Sequence, residues 1–250
     1  MQATVAAHPS LALVKYWGKQ STGTNIPATP SVAVTLGGLV TTTTVRVTSS
    51  SDMAGGEAGG NGSRESIGGT SAGHRVRLDG TTQNPERFQP FFDNLRAVLP
   101  HAASLNFDVE TQNQFPTAAG LASSASGFAA LAAAAARAVF LFGRDNDLIG
   151  RNDPPDGQAP GGEEALTGGP ADIGTHNAAS AGPGAISDIA TPRQTGAPDK
   201  TNRFGTDLIT LSQLARVGSG SAARSVFGGF TELPAGATHA VPLHDKTWWP

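Results

Sequence analysis

Residues 114–131 read Gln114-Phe115-Pro116-Thr117-Ala118-Ala119-Gly120-Leu121-Ala122-Ser123-Ser124-Ala125-Ser126-Gly127-Phe128-Ala129-Ala130-Leu131, and the architecture turns on them. It joins two different periodicities. Upstream, residues 105–110 alternate Leu, Phe and Val with Asn, Asp and Glu, the pattern of a half-buried strand. Downstream, residues 122–142 are rich in alanine and almost uncharged. Alanine has the highest helix propensity and a small side chain, so this segment predicts a helix buried on most sides. Between strand and helix lies a turn of Gly and Ala that lets backbone approach a ligand closely. The first amides of a helix are unpaired and electropositive, which makes an anion site. Ser123 and Ser124 add hydroxyls that could hold a metal ion on phosphates. The stretch is not a Walker loop, because it lacks the Gly-Lys-Ser/Thr that such a loop needs. Two readings stand: a phosphate cradle, or a Ser-capped buried helix.

Residues 41–48 are β-branched and predict a strand. Residues 74–78 alternate and end at Asp79-Gly80, a turn signal. These two are expected to pair as a long hairpin, with the Gly/Ser-rich residues 49–73 as its flexible tip. Residues 84–99 predict a helix, with Asn84 as cap, Pro85 in the first turn, and Phe88, Phe91, Phe92, Leu95 and Leu99 on its buried face. Residues 11–17 and 227–233 read as strands, residues 25–30 as a turn, and residues 206–217 as a helix with Leu208, Leu211 and Leu214 on one side. Residues 143–203 contain no aromatic residue and are broken throughout by Gly and Pro. Such a segment cannot bury enough apolar surface to offset its ordering entropy, so a disordered insertion is expected between a lobe formed by residues 1–142 and 204–250.

Composition narrows the function. The chain has 250 residues, 17 basic and 20 acidic side chains, and a formal charge of -3. With Gly 32 and Pro 17, these two make about a fifth of the residues, against a usual ~12%. There is no cysteine, which excludes disulfides, thiolate metal sites and cysteine nucleophiles. The mildly acidic balance argues against a nucleic-acid surface. No run is expected to reach the ~18 apolar residues of a membrane span. The start, Met1 to Val5, shows no signal-peptide pattern. The expectation is a soluble cytoplasmic protein without nucleic-acid or membrane partners. The six histidines show no metal-ligand spacing.

Two further segments could carry chemistry. Gly218-Ser219-Gly220-Ser221-Ala222-Ala223-Arg224-Ser225 places glycines and serines before an arginine, whose fork suits phosphate or carboxylate. The alternative is a tight loop with a solvent-facing arginine. Lys15-Tyr16-Trp17-Gly18-Lys19 sets an aromatic pair between two lysines at a strand end. Here the alternative is a strand end with snorkelling lysines.

Taken in order, these segments, together with Pro30-Ser31-Val32-Ala33-Val34-Thr35-Leu36, resemble the mevalonate diphosphate decarboxylase family of the GHMP small-molecule kinase superfamily. The resemblance implies an α+β fold with a ribosomal-protein-S5-domain-2-like N-terminal lobe, and a homodimer for many full-length members. It implies ATP and Mg2+ as cofactors. It also implies phosphorylation of the 3-hydroxyl of mevalonate diphosphate, then loss of phosphate and CO2 to give isopentenyl diphosphate. On this resemblance Pro116, Ala118, Ala119, Gly120, Leu121, Ala122, Ser123 and Ser124 cradle the nucleotide, with Ser123 and Ser124 near the metal. Tyr16, Trp17, Gly18, Lys19, Ser219, Gly220, Ser221, Ala222, Ala223 and Arg224 hold the substrate, and Lys19, Ser221 and Arg224 act in catalysis. Positive groups beside the departing phosphate and the carboxylate lower the barrier to decarboxylation.

The sequence departs from the family at Ser10, where an Asn is usual, and at Ala223, where a Cys is usual. No aspartate matches the family's catalytic aspartate before Trp248-Trp249-Pro250. The expectation is an N-terminal portion that largely lacks the C-terminal lobe. Competing readings are a phosphomevalonate decarboxylase, a mevalonate 3-kinase-like enzyme, or a non-catalytic nucleotide-binding fragment.

Overall fold

A computed structural model describes residues 1–20, 24–49, 74–116, 122–146, 148, 186–188 and 204–243. In chain order the strands and helices are β1 (Gln2–Ala7), β2 (Ser10–Val14), β3 (Ser31–Thr35), β4 (Thr41–Ser49), β5 (Arg75–Leu78), β6 (Thr81–Thr82), α1 (Gln89–Val98), β7 (Leu105–Asn113), α2 (Ser123–Asp145), β8 (Ile186–Asp188), α3 (Leu208–Gly218), β9 (Phe230–Leu233) and β10 (Val241–Pro242). Short 3-10 turns span Pro85–Arg87, Pro100–Ala102 and Gly220–Val226.

Two sheets result, one ordered β6-β5-β7-β4-β1-β8 and the other β10-β9-β3-β2. Alternation makes the larger sheet one-sided. Thr41, Thr43, Val45 and Val47 of β4, with Leu105, Phe107, Val109 and Thr111 of β7, are buried on one face. That face receives α2, which packs on β1 and β4 and, on its other side, on α3 and the Gly220–Val226 turn. Residues 129–136 of α2 are all buried, seven of them alanines. Small side chains let the helix approach sheet and neighbouring helix together, as expected from its composition. The bulk is supplied by an aromatic cluster: the rings of Phe92 and Phe107 stack at 5.1 Å, and those of Phe91 and Phe128 sit 6.0 Å apart. Each such ring contributes roughly 2–3 kcal/mol on burial.

Several expectations change. β4 and β5 do not form a hairpin: β7 lies between them, antiparallel to β4 and parallel to β5. A nine-residue alternating strand can take partners on both edges, and the long connection lets its sequence neighbours separate. The helix expected over 84–99 is divided. Asn84 Oδ1 accepts from the Glu86 amide at 3.0 Å and caps Pro85–Arg87, and α1 restarts at Gln89. Pro90 has no amide to donate, so it suits that new first turn. β2 stops at Val14 rather than at Trp17, because the chain turns at Gly18, whose φ is +73°. β1 went unread in the sequence. Its small residues Ala3, Val5 and Ala7 form a central strand under α2.

Within residues 143–203, α2 continues to Asp145, and β8 pairs with β1, Val5 opposite Asp188. The backbone edge of β1 needs hydrogen-bond partners, and β8 provides them. The remainder of the expected insertion and residues 50–73 of the expected hairpin tip lie outside the described residues. The expectation about apolar runs also fails: α2 is long and apolar enough by length and composition to cross a membrane, yet 72% of its most apolar window is buried inside the protein.

Candidate functional site

The start of α2 breaks the usual capping rule. Its N-cap is Ala122, with φ 48° and ψ 49°, and this cap residue offers the first amides no side-chain hydrogen bond. A non-glycine residue in this left-handed region costs roughly 1–2 kcal/mol, and an Ala cap forgoes about 1 kcal/mol more. The first turn carries no acidic residue. Ser123 is half-buried and Ser124 exposed. Upstream, Phe115 is buried and Pro116 exposed, while Ala118, Ala119, Gly120 and Leu121 fall outside the described residues. The Ser-capped reading is therefore set aside, since the cap residue is an alanine.

The second segment lies beside it. A Cβ on Gly218 would stand 1.9 Å from the Phe128 ring, so only glycine lets the end of α3 seat against α2. Beyond it Ser219 Oγ is 3.4 Å from Ser124 Oγ and 3.1 Å from Ser221 Oγ. Ala222 and Ala223 face the core, and the Ala223 carbonyl accepts from Ser212 Oγ at 2.9 Å. Arg224 is 3% exposed and donates to Ser31 Oγ, and its Nε has no hydrogen-bond partner among the described residues. Burial pushes its pKa down, and the nearby Tyr16 opposes that. The solvent-facing alternative for this arginine is thus excluded.

Tyr16 reaches the same loop. A Cβ on Gly220 would lie 2.6 Å from the Tyr16 hydroxyl and 3.4 Å from the Asn25 carbonyl. Lys15, Gly18 and Lys19 are exposed, and Trp17 is 77% exposed. The turn that carries them is fixed by Trp17 N donating to Thr29 Oγ1 at 2.7 Å and by a bridge between Lys19 and Pro27.

Sequence reasoning missed the residues that hold this turn in place. Asn25, with φ 54°, donates through Nδ2 to the carbonyls of Arg216 (3.1 Å) and Val217 (2.9 Å). Arg216, 7% exposed, donates through Nε to the Thr238 carbonyl at 2.7 Å and through its terminal nitrogen to the Thr24 carbonyl. The available signals were an Asn just before Ile26-Pro27 and an arginine in an otherwise apolar last helical turn. Ser10 was noted only as a departure from the family, and it accepts from Ser225 Oγ at 3.1 Å.

A cleft of about 160 Å³ opens at Ser123 and Ser124. Its walls are Val76 and Leu78 of β5, Val109, Thr111 and Asn113 of β7, Phe88, and Gly127, Phe128 and Leu131 of α2, with Gln83 and Arg87 also lining it. Among the described residues no cluster of three or more His, Cys, Asp or Glu could hold a metal ion. The hydroxyls of Ser123 and Ser124 are hard oxygen donors that suit Mg2+ already carried on phosphates.

This geometry can be set beside known proteins. A family model described as "Diphosphomevalonate decarboxylase-like N-terminal domain" matches residues 7–149 and 187–243. The chain belongs to this family. The match leaves out residues 150–186, within the segment expected as an insertion. A diphosphomevalonate decarboxylase of Ganoderma lucidum is 30% identical over 257 residues, covering 100% of this chain and 47% of that protein. The crystal structure of mevalonate diphosphate decarboxylase from Staphylococcus aureus aligns with a TM-score of 0.56 at 26% identity, over 97% of this chain and 50% of that one. A structure described as "MDDEF in complex with MVAPP, AMPPCP and Magnesium" aligns with a TM-score of 0.58 at 25% identity, over 99% of this chain and 52% of that one. The chain thus spans about half the length of the curated relatives it matches. Its α+β architecture is the N-terminal part of the mevalonate diphosphate decarboxylase fold, as the sequence motifs implied.

Proposed function

We propose that this domain contributes to ATP-dependent decarboxylation of mevalonate diphosphate. The carrying observation is the approach of Ser124 to Ser219, which joins an uncapped helix start to the loop bearing Arg224. That contact brings the helix start, which lines the cleft, next to the loop that carries the buried Arg224, the adjacency that two phosphorylated ligands of one reaction require.

On this reading the apolar walls of the cleft receive the nucleoside, and its phosphates lie at the open amides of α2 with the hydroxyls of Ser123 and Ser124. The exposed Pro116 and the left-handed Ala122 flank that cradle. When bound, Mg2+ supplies charge neutralisation on the phosphates. Arg224, Tyr16, Lys19, Ser219 and Ser221 bind the diphosphate and carboxylate of the substrate. Arg224 suits this work because it is buried and its Nε has no partner among the described residues, so an anion would satisfy that donor. Lys19, exposed at the surface, would extend its side chain to the same anion. Trp17 and Gly18 shape the turn between them.

The experiment supplies ATP, Mg2+ and mevalonate diphosphate and measures released phosphate, CO2 and isopentenyl diphosphate. Release of all three products supports the reading. Failure to bind either ligand overturns it. A second reading, binding without turnover, is favoured by one observation: among the described residues the side-chain hydrogen-bond partners of Ser124, Ser219, Ser221 and Arg224 are serines, none a carboxylate that could serve as base. Binding of both ligands with no product selects it.

A further inference from the structure

We infer that Thr41 is a positioning residue for the nucleotide cradle, acting through a buried chain of hydrogen bonds that pins the first turn of α2 to the sheet. This inference rests on the nucleotide reading of that helix end.

The chain has four members from three elements and a turn. Asp79, in the β5–β6 turn at φ 49°, accepts from the Asn113 amide at 2.9 Å and from Asn113 Nδ2 at 3.3 Å. Thr41 Oγ1 donates to Asn113 Oδ1 at 2.7 Å. Thr41 Oγ1 and Ser126 Oγ lie 2.7 Å apart, both fully buried.

Proton counting sets the direction. A threonine hydroxyl has one hydrogen, and here it is given to Asn113. Ser126 must therefore donate to Thr41. Its 3.3 Å contact with the Ser123 carbonyl is the weaker alternative for the same hydrogen. Every donor then points the same way, from Ser126 through Thr41 and Asn113 to the carboxylate of Asp79. Such aligned chains polarise one another and end on a charge, which strengthens each link.

The position gives the chain its purpose. Ser126 is in the first turn of α2, three residues past Ser123. Asn113, Ser123 and Ser124 line the same cleft. Ala122 offers no cap to hold the helix start. An uncapped first turn frays unless something else fixes it. The Thr41 hydroxyl does this from beneath, and leaves the amides themselves open to a ligand. Thr41 does not line the cleft, so it acts only through Ser126 and Asn113.

The test compares Thr41→Val, which keeps the shape and removes the hydroxyl, with Thr41→Ser, which keeps the hydroxyl. Affinities for a non-hydrolysable ATP analogue with Mg2+ and, separately, for mevalonate diphosphate are measured by calorimetry on the whole chain. The expected result is a loss of about tenfold in nucleotide affinity for Thr41→Val, the scale of one hydrogen bond. Thr41→Ser should stay within about twofold, and diphosphate affinity should hold in both. Should Thr41→Val not fold, Ser126→Ala removes the terminal donor without emptying the centre of the chain, and the same pattern is expected. Equal weakening of both ligands, or unchanged nucleotide affinity, overturns the positioning role alone. If the unaltered chain binds no nucleotide, the functional reading fails and this inference falls with it.

Discussion

Arg224→Met should raise stability and destroy ligand affinity at once. Arg224 is 3% exposed, with Ser31 as a hydrogen-bond partner and Nε unpaired among the described residues. Its pKa is depressed by burial, which restates the same desolvation cost. Replacing a poorly compensated buried charge with an apolar side chain of similar length is neutral or stabilising by about 1–4 kcal/mol. Methionine leaves the buried Ser31 hydroxyl without its donor, which returns about 1 kcal/mol. A net gain of about 1 kcal/mol is therefore expected in the midpoint of urea unfolding.

The ligand side has the opposite sign. Two charge-assisted hydrogen bonds to a phosphate are worth about 1.5–3 kcal/mol each. Losing both weakens mevalonate diphosphate binding by roughly 10²–10⁴-fold. Calorimetry on the same sample measures that loss. A variant destabilised by more than about 1 kcal/mol with affinity within threefold of the parent would refute the reasoning. Arg224 would then be a structural residue whose charge is compensated by groups outside this account.

Other perturbations probe the surrounding frame. His74 stacks on Phe92 at 4.1 Å and faces Phe107, Arg96 and Asp93; burial first, then Arg96, lowers its pKa to about 4. It is neutral in the fold, while the unfolded chain takes up a proton near pH 6.5, so stability should fall as pH drops from about 6.5 to about 4. The gap is worth about 3 kcal/mol at most, and His74→Phe should flatten that part of an unfolding-versus-pH curve. Gly218→Ala places a methyl 1.9 Å from the buried Phe128 ring and should cost about 2–3 kcal/mol in urea unfolding, with a full-stability protein counting against the close approach. Asn25→Ala loses two hydrogen bonds to α3 and sets alanine at φ 54°, for about 2 kcal/mol; Asn25→Gly keeps the backbone freedom and should lose about half of that.

Much of the architecture was legible because it rests on local patterns. The alternation of residues 105–110 and the alanine run of residues 122–142 gave β7 and α2, and Asn84 marked a real cap. What escaped was non-local. The pairing of β5 with β7 instead of β4 depends on competition between edges, and no short window records it. β1 was missed because its alanines carry no β signal; their small size matters only once α2 lies across them. The three segments proposed to bind ligand were legible as motifs. Asn25 and Arg216, which hold the first turn against α3, were not, since each acts on a carbonyl more than 190 positions away.

The most telling residue is Ala122. Helix starts usually take Ser, Thr, Asp or Asn, and two serines follow it immediately. A one-residue shift would have put a serine at the cap and satisfied an amide from within. Instead the chain places alanine there in a left-handed conformation and forgoes both the cap and the relaxed backbone. A serine cap would occupy the amides that an anion needs. The stability given up at that one position is made good beneath the helix, by the Thr41 hydroxyl and the buried alanine face, where no ligand competes for the same atoms. Local weakness and distant support are then two parts of one arrangement, and Ala122→Ser should test it: if the variant adopts the cap, it stabilises the helix and lowers nucleotide affinity together.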